Sequence, residues 1–342
     1  MTVDHAERVR GSLLGGAVGD ALGWPVEFQR LDVIRERFGA EGVTGPNGTE
    51  VTDDTQMTLF TAEGLLRGGT PAALKQAYQR WLLTQRLAGP ERAPDGWLLS
   101  LPFLYASRAP GNACLSGLTE WPRYEPAAPF GQEGPINPHS KGCGTVMRSA
   151  PFGLLRLGPR RAFELAAECA QLTHGHPTGY LAAGAFAALV DRLAAGTPLR
   201  AALALTIEQT AGHPRGEETV TALERAVRIA DEGPASAEAV ERVGLGWIAE
   251  ECLAIAVYAA LAGADARQAV LLSVNHSGDS DSTGAVCGNL VGAMYGAAAL
   301  PAEWTGVVEG RETVLQVADD LVAVAAGADP AGLGGRYPAA WA

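Results

Sequence analysis

Basic charge is scarce in this chain, with 26 Lys and Arg against 38 Asp and Glu and a formal net charge of −12 over 342 residues. That balance argues against a general nucleic-acid or membrane-surface binder, which would carry a basic patch. It leaves open a nucleic acid that bears a modification as substrate. Cysteines are few and scattered: Cys114, Cys143, Cys169, Cys252 and Cys287 are odd in number and form no C-x-x-C pair that would suggest zinc or redox chemistry. A reducing cytoplasm is therefore the expectation, and residues 1–8 show no signal-peptide pattern. No stretch alternates apolar and polar residues with a period of two, so strands are not expected. Nor is there an evident linker or a solenoid-type repeat. Length alone suggests about two domains, but without a boundary the chain reads as one all-α domain over residues 1–342, of roughly a dozen helices, and as a monomer.

What is abundant is glycine, 43 residues in all, and two groups of it are periodic. Gly11, Gly15, Gly19 and Gly23 recur every four residues in a helical stretch over 6–23, and Gly284, Gly288, Gly292 and Gly296 repeat the spacing near the end. Glycine inside a helix costs about 0.5–1 kcal/mol relative to alanine. Two such stripes therefore predict helices packed at short range, where a missing side chain lets another backbone approach. The partner of each stripe stays open. The run 284–302 is uncharged and near membrane-spanning length. It contains Asn289, is mostly Gly and Ala, and begins on an acidic cluster, so a buried core helix is expected.

Further helices are expected over 57–66, 74–85, 159–172, 177–195, 198–211, 217–231, 246–261 and 265–274. Three of them have proline at or near the start, where its missing N–H costs nothing. Between 106 and 141 the chain holds Pro110, Pro122, Pro126, Pro129, Pro135 and Pro138 with several glycines. So long a connection is usually functional or disordered. It leads into Ser140-Lys141-Gly142-Cys143-Gly144, read as a glycine loop opening a helix at Thr145, where backbone N–H groups can meet an anion. His174 and His176 flank a glycine and form an H-x-H pair of the kind that can bind zinc, though a structural role is commoner. The tail 327–342 is expected to pack loosely.

Two acidic clusters carry the chemistry. One is Asp279-Ser280-Asp281-Ser282-Thr283 and the other is Thr52-Asp53-Asp54-Thr55. On a helix, neighbours and next-neighbours point to different faces, so either acid pair converges only where the backbone is still turning into a helix. Helix capping alone accounts for one oxygen at such a place. Oxygen-only side chains converging at a turn are also what hard divalent cations take: Mg²⁺, Mn²⁺ or Ca²⁺. Four carboxylates brought together would repel one another unless cations neutralise them, and four negative charges match two divalent ions. The site is thus expected at helix N-termini, with the clusters joined by the fold.

These residues, with Gly19-Asp20-Ala-Leu-Gly23-Trp-Pro-Val-Glu27, Gly142-Cys143-Gly144-Thr145-Val146-Met147-Arg148 and Thr173-His174, resemble in order the ADP-ribosylglycohydrolase family. That family includes dinitrogenase reductase-activating glycohydrolases and ADP-ribosylarginine hydrolases, and the resemblance runs from about residue 8 to 295. One departure is Cys143, which stands where the family pattern often has Asn. The resemblance implies hydrolysis of the bond between the distal ribose C1 of ADP-ribose and an acceptor, through an oxocarbenium-like transition state. It implies two Mg²⁺ or Mn²⁺ ions that hold ribose hydroxyls and position a water. The implied metal ligands are Thr52, Asp53, Asp54, Asp279, Asp281 and Ser282, with Thr283 the alternative to Ser282. Glu27 is the implied proton-transfer or gating residue and Asp54 its rival. Asp20, Ser140, Gly142, Cys143, Gly144 and His174 are implied on the substrate side. The implied partner is an ADP-ribosylated protein, most like the arginine-linked branch. Serine, nucleobase or small-molecule conjugates, or a catalytically silent crystallin-like member, are the alternatives.

Overall fold

Side-chain caps start many of the helices. Asp4, Thr52, Thr70, Ser236 and Asp265 each accept a hydrogen bond from a backbone N–H of the first turn that follows, satisfying a donor that has no partner within the helix. A computed structural model describes residues 3–92 and 94–338. In chain order the helices are α1 (His5–Gly23), α2 (Leu31–Phe38), α3 (Asp53–Leu66), α4 (Pro71–Thr84), α5 (Asn112–Thr119), α6 (Ala150–Leu154), α7 (Pro159–Ala170), α8 (Pro177–Ala194), α9 (Leu199–Ala211), α10 (Glu217–Glu232), α11 (Ala237–Val243), α12 (Ala249–Ala262), α13 (Ala266–Val274), α14 (Ser280–Tyr295), α15 (Ala302–Thr305) and α16 (Arg311–Ala325). Among the described residues the only β pairing is an isolated antiparallel bridge between Gly142 and Ile248, so the fold is all-α. No helix among them is long and apolar enough to cross a membrane.

The two glycine stripes pack against each other. Carbonyl oxygens of Gly284 and Gly288 lie where a Cβ on Gly19 or Gly15 would stand, and a Cβ on Gly11 would lie 2.5 Å from the Gly292 oxygen. Each helix therefore presents bare backbone to the other, and α1 and α14 form the central pair. Asn289, the polar residue of the run, donates 2.8 Å to the Ser12 carbonyl across this seam. The seam ends at Gly23, where a Cβ would collide with the Ser280 carbonyl and lie 2.5 Å from the Asp281 nitrogen. It thus delivers the end of α1 directly to the acidic turn that starts α14.

Several boundaries differ from the sequence expectation. No α-helix starts at Thr145. A single 3₁₀ turn spans Cys143–Thr145, and α6 begins at Ala150 with Pro151 in its first turn. A helix begun at 145 would have placed that proline in its interior, where it would have cost a hydrogen bond and a clash. The uncharged run does not continue to 302: Gly296 takes φ 81° and ends α14. Helix α12 starts three residues later than expected, because Gly246 adopts φ 86° and Ile248 is extended. The short helices α2, α5, α11 and α15 carry the count above a dozen, and α16 lies beyond the last stretch expected to be helical. Nor is the whole tail loose. Tyr337 is buried, and its hydroxyl donates to Asp320 at 2.7 Å while Arg336 grips the same carboxylate at 2.7 and 2.9 Å. Residues 339–342 of that stretch lie outside the described residues.

Candidate active site

The two acidic clusters meet. Asp53 and Asp54 occupy the first turn of α3 after the Thr52 cap, and Asp279 caps α14 with Asp281 in its first turn. Ser282 Oγ lies 3.3 Å from Asp54 Oδ2, joining residues 228 apart in the chain. Asp279 has φ −83° and ψ 74°, so the chain is still turning there and both acids of the second cluster reach one place. Glu27 joins them: it follows a 3₁₀ turn, Trp24–Val26, made by Pro25 at the end of α1. Carboxylate oxygens of Glu27, Asp279 and Asp281 lie within 4.8 Å of one another. Pro25 was a legible signal that Glu27 leaves the helix. Its place beside these two acids as a candidate ligand was not.

Burial and mutual repulsion hold these carboxyls far from their ordinary range. Glu27 is pushed up to about 9 by burial and then by Asp279, Asp53 and Asp20. Asp53 rises to about 8, chiefly by burial, although the Gly111 N–H donates to it at 3.2 Å. Asp54 and Asp281 are raised well above normal by burial, and the main charges each feels are other carboxylates. Asp279 is raised by burial too, against hydrogen bonds from Asp281, Cys143 and Ser282. The buried Arg148 is spent on other groups: its guanidinium lies over the Tyr78 ring at 4.4 Å and donates to Thr173 Oγ1 at 2.7 Å. Two oxygens are left buried without any partner, Asp54 Oδ1 and Glu27 Oε2. Orphaned carboxylate oxygens in an acid cluster have the donor chemistry of a hard divalent cation, so the residues present fit such an ion.

Asp20 sits behind this cluster. Its carboxylate accepts from the Thr52 N–H at 2.9 and 3.1 Å, from the Thr55 N–H at 3.1 Å and from Thr55 Oγ1 at 2.5 Å. It clamps the start of α3 to the end of α1. Thr283 also faces away: its hydroxyl donates to backbone carbonyls, including Ser273 O at 2.7 Å, and lies 2.8 Å from His276 Nε2. Ser282 is the hydroxyl on the acid side.

The glycine loop lies on the other flank. Its Cys143 N–H donates to Trp247 O at 3.1 Å, so that donor is not offered to a ligand. The Cys143 sulfur stands 2.8 Å from Asp279 Oδ2. Ser140 is half-buried, and its carbonyl accepts from the His176 N–H. His174 is buried beneath the loop, where a Cβ on Gly144 would lie 3.1 Å from the ring. Burial and then Arg148 hold its pKa down to about 3, so it stays neutral. His176 caps α8 through Nδ1, so the H-x-H pair divides into a loop support and a helix cap. The loop 244–247 braces two sides at once, taking the Asp279 N–H on Leu245 O at 2.9 Å and the Cys143 N–H on Trp247 O. On the outer face the Trp247 ring stacks on Phe28 with centroids 5.2 Å apart. Phe28, at φ 62° and 67% exposed, went unnoticed in the sequence.

Residues 1–331 match the family model described as ADP-ribosylglycohydrolase. The chain is 26% identical over 322 residues to ADP-ribosylarginine hydrolase Tri1 of Pseudomonas putida, covering 92% of this chain and 78% of that one. It is 26% identical over 329 residues to the ADP-ribosyl-[dinitrogen reductase] glycohydrolase of Rhodospirillum rubrum, covering 93% and 97%. A solved structure titled "ADP-ribosylglycohydrolase-related protein complex" superposes with a TM-score of 0.66 at 28% identity, covering 94% of this chain and 99% of the other.

Proposed function

Because the chain belongs to the ADP-ribosylglycohydrolase family and is thereby a hydrolase of ADP-ribose conjugates, we propose that it removes ADP-ribose from a modified arginine side chain of a protein, using two divalent cations, Mg²⁺ or Mn²⁺. The observation that carries this reading is the junction of the two acidic clusters, with Ser282 Oγ 3.3 Å from Asp54 Oδ2. Thr52, Asp53 and Asp54 from α3, with Asp279, Asp281 and Ser282 from α14, would hold the ions. Glu27 lies at the same corner. The ions supply positive charge to hold ribose hydroxyls and to ease deprotonation of a water.

The protein's own groups do the rest. Glu27 is less deeply buried than Asp53 or Asp54. It is the group we assign to move a proton at the departing arginine nitrogen, with Asp54 as the competing assignment. The loop 140–144, supported from below by neutral His174, would receive the diphosphate side of the substrate. Asp20 keeps the start of α3 in place. Arginine as the acceptor is supported by the two named bacterial relatives, one an ADP-ribosylarginine hydrolase and the other a dinitrogen reductase glycohydrolase.

The purified protein should be incubated with ADP-ribosylarginine and ADP-ribosylserine peptides, with and without EDTA. ADP-ribose is expected from the arginine peptide alone, stopping with EDTA and returning with excess Mg²⁺ or Mn²⁺. Release from the serine peptide alone would overturn the acceptor, and release that ignores EDTA would overturn the metal.

A further inference from the structure

Of the five cysteines, four are buried in the core and only Cys143 is partly exposed. Its sulfur lies 2.8 Å from Asp279 Oδ2 and 3.6 Å from Ser282 Oγ. The same Ser282 oxygen is 3.3 Å from Asp54 Oδ2, and the other oxygen of Asp54, a residue only 2% exposed, has no partner at all. The sulfur thus completes a ring of donor atoms around an orphaned carboxylate. Backbone bonds hold it there, since the loop 244–247 takes both the Cys143 N–H and the Asp279 N–H, at 3.1 and 2.9 Å. Sulfur and carboxylate therefore keep a fixed separation, close enough for one ion to touch both. Oxygen-only donor sets favour Mg²⁺, Ca²⁺ and Mn²⁺, whereas a thiolate shifts preference towards Zn²⁺, Co²⁺ and other softer ions.

We propose that Cys143 is a metal-selecting ligand of the acidic centre, and that it gives this chain a centre which takes thiophilic divalent ions, Zn²⁺ and Co²⁺, in preference to Mg²⁺. The proposal rests on the metal reading given above. On binding, the S–H bond breaks, its proton passes to the buffer and a sulfur–metal bond forms. No electrons change hands.

Cobalt(II) is the probe, because a cobalt–sulfur bond gives a charge-transfer band in the near ultraviolet that oxygen ligands do not. Metal-free protein is titrated with Co²⁺ and separately with Mg²⁺, by calorimetry and by absorption. Wild type is expected to bind both ions and to show the band with Co²⁺. Cys143→Ser, with Cys143→Asn as a second variant, is expected to keep its helical spectrum and its Mg²⁺ affinity but lose the band. Its Co²⁺ affinity should drop on the order of tenfold. Co²⁺ uptake by wild type without the band, or a band that survives in both variants, would overturn the role of Cys143 while leaving the metal centre standing. Failure of wild type to take up either ion would overturn the metal centre itself and this proposal with it.

Discussion

Replacing Asp53 by Asn measures what it costs the fold to gather so many carboxyls. Asp53 is only 4% exposed, and burial is the main reason its carboxyl rises from an ordinary 3.8 to about 8. A carboxyl whose pKa is raised by folding keeps its proton longer in the native state. Native stability is therefore highest below about pH 4 and falls as pH rises towards 8. Going from pH 5 to pH 7 crosses two pH units inside that window, each worth about 1.4 kcal/mol. The ion-free protein should lose about 3 kcal/mol from this group alone. For 342 residues the unfolding entropy is about 0.7 kcal/mol/K, so the melting temperature should drop by about 4 °C. In EDTA, wild type is expected to show this drop by calorimetry or circular dichroism, and Asp53→Asn a drop smaller by most of that amount. At pH 7 the ion-free variant should melt above ion-free wild type. Adding Mg²⁺ or Mn²⁺ at about a hundred times its Kd should raise wild type by a further ~4 °C through mass action and leave the variant nearly unmoved. An ion-free wild type whose melting temperature is flat or rising from pH 5 to 7 would refute the reasoning.

Gly15→Ala sets a Cβ against the Gly288 carbonyl. Overpacking of about 1–3 kcal/mol should exceed the ~1 kcal/mol gained in helix propensity, read as a lower denaturant midpoint with metal uptake retained. Gly23→Ala collides with the Ser280 carbonyl instead and should weaken metal uptake by calorimetry as well. Phe28 carries a large ring at φ 62°, a conformation that costs about 1–2 kcal/mol for a residue with a Cβ. Phe28→Gly should thus melt no lower than wild type, and steady-state kinetics on a modified protein should show a raised KM with kcat kept. Deleting residues 336–342 strips Asp320, itself 2% exposed, of its Arg336 and Tyr337 partners. That should cost about 3 kcal/mol or more in chemical denaturation, whereas a drop below about 1 kcal/mol would mean the pair adds nothing.

Much of this architecture was legible because its signals are local. The four-residue glycine period demanded a close neighbour, and prolines and capping side chains marked helix starts. Acids at neighbouring and next-neighbour positions could converge only at a turn, which is where Asp53, Asp54, Asp279 and Asp281 stand. Features that depend on distant partners were not legible. Nothing in the residues around 245 tells that Leu245 and Trp247 would brace Asp279 and Cys143. Nor does anything near Cys143 disclose that its thiol meets a carboxylate 136 positions on. Helices α2, α5 and α11 span eight residues or fewer, too short for their period to stand out. Thr145 misled because the proline that forbids a helix there comes six positions later.

The seam between α1 and α14 also sets when the molecule can become itself. Helix α1 leaves the ribosome first, yet the surface it must nestle into is not synthesised until roughly 260 residues later, about 15–50 s at ordinary elongation rates. Through that interval a nascent chain exposes a naked backbone groove and half an ion cradle. Joining ends so far apart makes this an unusually non-local helical protein, and such topologies fold slowly. Maturation, and with it any uptake of metal, has to wait for the last third of the polypeptide.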